Sequence, residues 1–191
     1  MKKQILFFLL LFTSATSTAQ NDYFKPSDTT FKLGAILETD WDFSYPFCVK
    51  SDLNNRVSYM RRPEFLDTLC SFLKNHPEIV LEISIHTVAR GSEKSNLTLS
   101  ESRAIELAEI LLKKGVSNHQ LSWKGMGEST PLVLFNCNDA FAKFSVPNVD
   151  CKTITLTEDY INSFKINDKE TFERLHQMNR RTEFRIVEIN N

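Results

Sequence analysis

The stretch that most constrains the fold is Glu78–His86, EIVLEISIH. Leu81, Ile83 and Ile85 alternate with Glu82 and Ser84. A period of two marks a strand with one buried and one polar face. Such a strand needs partner strands beside it and an apolar layer over it. Upstream, Phe65, Leu66, Leu69, Phe72 and Leu73 recur at helical spacing. That helix begins near Pro63, whose missing N–H costs nothing in a first turn, and Asn75 with Pro77 stops it. Downstream, a second helix is expected over 99–114. Ala104, Leu107, Ala108 and Leu111 form its buried stripe, and Glu109 and Lys113 pair on the outer side. Thr98 or Ser100 offers its N-cap and Gly115 its left-handed C-cap.

The remaining elements follow the same logic. FKLGAIL (31–37) alternates as a first strand, and QLSWKGMG (120–127) reads as a further strand ending in a glycine turn. Residues 132–170 break the pattern as an insert holding one short helix, TEDYINSF. KETFERLHQM (169–178) is helical and RTEFRIVEI (181–189) is a closing strand. The order β-α-β-α-β-(insert)-α-β implies an α/β two-layer sandwich.

At 191 residues and 41% hydrophobic, the chain suits one globular domain with a real core. Its net charge of -1 and lack of a basic stripe exclude nucleic acid as a partner. The N-terminus, MKKQILFFLLLFTSATSTAQ, has two lysines, an apolar run from Ile5 to Phe12, and then small polar residues. This is the layout of a secretory signal peptide over residues 1–19, with Ser17-Thr18-Ala19 at the cleavage site. The run is too short to cross a bilayer, which takes about 20 residues. An exported chain with no transmembrane segment in its mature part is expected, with residues 20–30 as a linker and 31–191 as the domain.

Export allows disulfides. Cys48, Cys70, Cys137 and Cys151 permit three pairings. Cys137 and Cys151 flank one loop-like stretch, and a bridge there closes about 15 residues, worth roughly 3 kcal/mol. Cys70 lies on the apolar side of the first helix and suits simple packing. No pair has C-x-x-C spacing, so neither a metal nor another cofactor is expected.

The chemistry concentrates in IHTVARGSEKSNLTLSESRA (85–104), which leaves a strand, crosses a polar loop and enters a helix. Read from the expected helix start, Arg103 sits in the first helical turn, where free N–H groups and the dipole favour anions. Its guanidinium can grip a carboxylate with two parallel bonds. Asn96 offers an amide donor and acceptor, and Thr87 a hydroxyl. Together they suit a ligand bearing carboxylate and amide groups, such as a peptide terminus. The bland alternative is that Arg103 is solvated or pairs with Glu101 or Glu106. Asn96-Leu97-Thr98 also matches a glycosylation sequon, which a loop-to-helix junction explains as well.

HTVARGSEKSNLTLSESRA, then KGMGESTP, then NRRTEF, resemble in order the C-terminal peptidoglycan-binding domain of the outer-membrane protein A (OmpA) family, over roughly residues 31–191. The resemblance implies a non-catalytic module that binds the diaminopimelate residue of a peptidoglycan stem peptide. It implies that Arg103 grips the carboxylate, with Asn96 and Thr87 in the same loop, and that Asn179, Arg180 and Arg181 are mainly structural. Two positions depart from the family's pattern. Val88 stands where family members carry the aspartate that meets the ligand's ammonium group. Ser44, in WDFSYP, stands at a second acidic position. Asp40, Asp42 and Glu93 are the nearby candidates for a substitute carboxylate.

Three functions compete. The first is a periplasmic wall-binding module, associated with the outer membrane and tethered through an envelope protein partner. The second is a degenerate OmpA-like scaffold that has given up diaminopimelate and binds an envelope protein or a different wall peptide, with Phe135, Phe141 and Phe144 of the insert as a contact surface. The third, a cell-wall enzyme, finds no support. His86, His119 and His176 are scattered, no nucleophile has a visible base, and Glu38, Asp40 and Asp42 have no facing carboxylate.

Overall fold

The computed structural model describes residues 23–37, 63–135 and 153–190. The leader-like segment 1–19, Glu38, Asp40, Asp42, Ser44, Cys48, Cys137, Phe141, Phe144 and Cys151 lie outside the described residues.

Helix α1 spans Pro63–Asn75. Its Leu66, Leu69 and Leu73 are fully buried, and Cys70 and Phe72 nearly so. Burying a leucine side chain contributes about 1.5–3 kcal/mol, so this one stripe anchors the helix. Cys70 is free, and burial pushes its thiol pKa up. Strand β3, Ile79–His86, follows with Leu81, Ile83 and Ile85 under the helices. The junction between the two is fixed by Gln120, whose amide donates to Leu73 O at 2.8 Å, His76 O at 2.9 Å and Ile79 O at 3.3 Å.

Helix α2 runs over Glu93–Lys113, six residues earlier at its start than the apolar stripe implies. The cap is Ser92, whose hydroxyl accepts from Ser95 N, and not Thr98 or Ser100. Ser100 is instead buried, donating to Leu97 O at 2.8 Å and accepting from Gly127 N at 2.8 Å. Its first two turns bury polar Asn96 and Ser100, which an apolar periodicity cannot register. The far end matches expectation: Gly115 takes φ +88 just past the helix, and Lys74 Nζ closes it by donating to Lys114 O at 2.7 Å.

After a 3-10 turn at Asn118–Gln120, strand β4 covers Leu121–Gly127. Strands β5 (Val133–Phe135) and β6 (Thr153–Thr155) pair antiparallel as a separate ribbon. Helices α3 (Glu158–Asn162) and α4 (Lys169–Asn179) follow, then strand β7, Thr182–Ile189.

The expected strand at 31–37 is much shorter. Lys32–Ala35 form a turn and Leu33 is 67% exposed, so only Ile36–Leu37 is strand β2. A further short strand, β1, lies at Tyr23–Phe24 within the expected linker. The main sheet is mixed, in the order β1-β2-β7-β3-β4. β3 runs parallel to β4 and antiparallel to β7, and β1 is parallel to β2. The main core lies between this sheet and α1 and α2. A smaller core gathers Ile154, Leu156, Ile161, Leu175 and Met178 from the insert and α4. Asn179 ties that unit together, accepting from Leu132 N and donating to Leu156 O. Among the described residues no helix is long and apolar enough to cross a membrane.

Candidate functional site

The site begins where β3 stops. His86 N donates to Arg181 O at 2.9 Å and Thr87 N to Gly127 O at 2.7 Å, so the chain leaves the sheet between β7 and β4. Arg90 N then donates to Val88 O at 2.8 Å, a tight three-residue turn that leaves Val88 half-buried. Arg90 crosses to α4, bonding Glu173 at 2.8 Å with its guanidinium 5.5 Å from the centre of the Phe172 ring. Ser92 opens α2 immediately after.

Asn96 is buried one turn into α2. Its amide donates to Arg90 O and to the Glu128 carboxylate, so both amide hydrogens are committed within the protein. It staples the loop, the helix and the end of β4, and its donors are not presented to a ligand. Thr87 is buried, and its hydroxyl has no partner among the described residues.

Arg103 corrects the sequence reading. With α2 starting at Glu93, it lies in the third turn, beyond the reach of the helix N-terminus. It is two turns from Asn96 on the same side of the helix, about 10 Å along the axis. It is half-buried and has no hydrogen bond or ion pair among the described residues. A guanidinium held at a surface without a protein partner is available to a carboxylate. Of the substitute carboxylates, Glu93 is exposed in the first turn of α2.

Under the loop lies a charged row on the sheet face away from α1 and α2. Arg181 Nε donates to Glu183 Oε1 at 2.7 Å, and Arg185 stands 3.3 Å from Glu183 Oε2. Burial alone would raise the Glu183 pKa, but the Arg181 guanidinium outweighs it and holds the carboxyl below its usual range. His86 is 3% exposed, neither ring nitrogen has a hydrogen-bond partner among the described residues, and Glu183 Oε1 is 3.9 Å from Nε2. Burial, then the nearby Arg181 charge, push its pKa down to about 3. Sequence reasoning missed Glu128, Glu183 and Glu173, because each partner lies far away along the chain and no periodicity marks it.

The His86 environment gives stability a pH dependence. Its folded pKa lies below the ordinary 6.5, so between about 3 and 6.5 the unfolded chain binds the extra proton. Stability present above pH 6.5 is therefore lost as pH falls, with a slope approaching 1.4 kcal/mol per pH unit. Urea midpoints measured from pH 7.5 to 4.5 should fall steadily, and the His86 ring signals should stay those of a neutral imidazole throughout. A ring titrating near 6.5 would contradict this account.

The comparisons with known proteins agree with this chain's motifs. Residues 61–143 match the model of the OmpA family. The peptidoglycan-associated lipoprotein of Buchnera aphidicola subsp. Baizongia pistaciae (strain Bp) is 32% identical over 90 residues, which are 47% of this chain and 52% of that one. Outer membrane protein A of Klebsiella aerogenes is 38% identical over 61 residues, 32% of this chain and 17% of that one. The crystal structure of the peptidoglycan-associated lipoprotein from Burkholderia pseudomallei is 30% identical, with 37% of this chain and 60% of that one covered and a TM-score of 0.34. The chain spans about half or less of the length of these curated relatives. It carries an OmpA-family α/β domain, homologous to that of the peptidoglycan-associated lipoproteins.

Proposed function

We propose that this protein is a non-catalytic module of the cell envelope that binds peptidoglycan, with Arg103 gripping a carboxylate of the stem peptide. The observation that carries this reading is the uncommitted, half-buried Arg103 beside a loop whose other polar groups are largely used internally. The homology to peptidoglycan-associated lipoproteins supports the ligand class. Thr87 adds a hydroxyl that the protein leaves without a partner among the described residues. The module works on the exported side of the membrane, held in the envelope by a protein partner.

Val88 favours a second reading. An apolar side chain cannot accept a hydrogen bond from an ammonium group, and losing one charge-assisted bond costs about 1.5–3 kcal/mol. That is a tenfold to hundredfold drop in affinity, roughly. The ligand would then be a wall peptide whose amine is amidated or absent, or an envelope protein.

Co-sedimentation with diaminopimelate-type sacculi separates the two. On the first reading the wild type pellets and Arg103→Ala stays in solution. On the second the wild type stays in solution and Val88→Asp pellets. If Arg103→Ala pellets as fully as the wild type, the assigned grip on the carboxylate is wrong.

A further inference from the structure

A groove of about 460 Å³ opens at the β1 edge of the sheet, three strand positions from β3. That volume is in the range of small-ligand sites. Its walls carry Tyr23, Ser27, Asp28, Thr29 and Thr30, and its floor is Phe24 and Ala35. The floor is firmly set. Phe24 is buried and packs edge-on against Phe31 at 5.9 Å, with Phe72 at 5.5 Å on another side. The rim is also ordered, because Asp28 N donates to Lys25 O at 3.0 Å while Asp28 Oδ2 accepts from Lys25 N at 2.8 Å. One carboxylate thus clamps its own turn with one oxygen.

The lining chemistry is specific in kind. Ser27, Thr29 and Thr30 present hydroxyls that make no hydrogen bond among the described residues. Each can donate and accept at once. Tyr23 is 60% exposed, which leaves an aromatic face free at the mouth. Lys32 is offset by Asp28, so the groove has no excess charge to select an anion. Neutral hydroxyls in both hydrogen-bonding senses, one carboxylate and an aromatic face match a pyranose ring, which offers vicinal hydroxyls on its rim and C–H groups on its faces.

We propose that this groove is a glycan subsite, which takes an N-acetylated sugar of the wall's glycan strand with Tyr23 as its stacking platform. The proposal rests on the wall-binding reading above and extends it from the peptide to the sugar. β1 and β3 are three strand spacings apart, on the order of 14 Å. The two contacts therefore engage different parts of the ligand: Arg103 on α2 takes the peptide and the β1 edge takes the glycan.

The test uses the full chain and two probes without stem peptide: chitotetraose, and glycan strands stripped of peptide by an amidase. Binding is followed by calorimetry and by the Tyr23 ring signals. Tyr23→Ala should weaken binding about tenfold or more, while Tyr23→Phe, which keeps the ring, stays near wild type. Arg103→Ala should bind these probes as the wild type does. If neither probe binds while intact sacculi still pellet in an Arg103-dependent way, the glycan subsite is overturned and the peptide reading stands. If the probes bind but Tyr23→Ala is unaffected, the groove is not the site. If neither the probes nor the sacculi bind, both readings fall together.

Discussion

Gly125→Ala should destabilise the fold by about 3 kcal/mol or more, the upper range for overpacking a close contact. The reason is how near α2 lies to β4. A Cβ at Gly125 would overlap Glu101 N and stand 2.6 Å from Ser100 Oγ and 2.7 Å from Glu101 Cα. These are backbone atoms and a buried hydroxyl that is itself bonded to Gly127 N, so no flexible side chain can swing aside. The helix must lift off the strand. That motion would also drag Asn96 away from Glu128 and loosen the loop that precedes it. Denaturant unfolding checks this, with Lys124→Ala as the control. Lys124 pairs with Glu82 on the opposite sheet face at a half-exposed position, and its loss should cost under about 1 kcal/mol. Equal effects at the two positions would mean that α2 is not seated on β4 as described.

Arg181→Met should cost about 3–5 kcal/mol, because it strands a carboxylate that is only 18% exposed. Arg181 is itself 12% exposed and also donates to Asn179 O and Thr130 O, both at 3.3 Å. The guanidinium therefore joins β7, the end of α4 and the segment after β4. The penalty comes mainly from the unpaired charge, so the double variant Arg181→Met with Glu183→Leu should recover a large part of it. Urea midpoints of the single and double variants decide the matter. A double variant no more stable than the single would show that the hydrogen bonds to Asn179 and Thr130, and not the buried charge, carry the effect.

Much of this architecture was legible because burial writes itself into the sequence as a period. Helix α1, strand β3 and strand β7 came out within a residue or so of their places, since Leu66, Leu69 and Leu73, or Leu81, Ile83 and Ile85, keep strict spacing on one face. The start of α2 did not, because the face it buries there is Asn96 and Ser100. A polar buried face looks like a loop until its partners, Glu128 and Gly127, are in place. The same mistake carried Arg103 into the wrong turn and credited it with a helix dipole it does not feel. The alternation at Phe31–Leu37 misled for the opposite reason: the period was there, but the turn at Lys32–Ala35 leaves Leu33 in solvent. At the candidate site, Arg103, Thr87 and Val88 could be singled out by residue type and order. What Asn96 does could not, because its partners lie 6 and 32 residues away.

The most direct test of the central claim is a calorimetric titration of the protein with a soluble stem tripeptide whose carboxylate is free, beside the same peptide as its carboxamide. If Arg103 grips the carboxylate, the free acid binds and the amide binds about tenfold to hundredfold more weakly, the worth of one charge-assisted bond. In Arg103→Ala the difference between the two peptides should vanish. Equal affinities of the wild type for acid and amide, or an Arg103→Ala variant that still prefers the acid, would contradict the account.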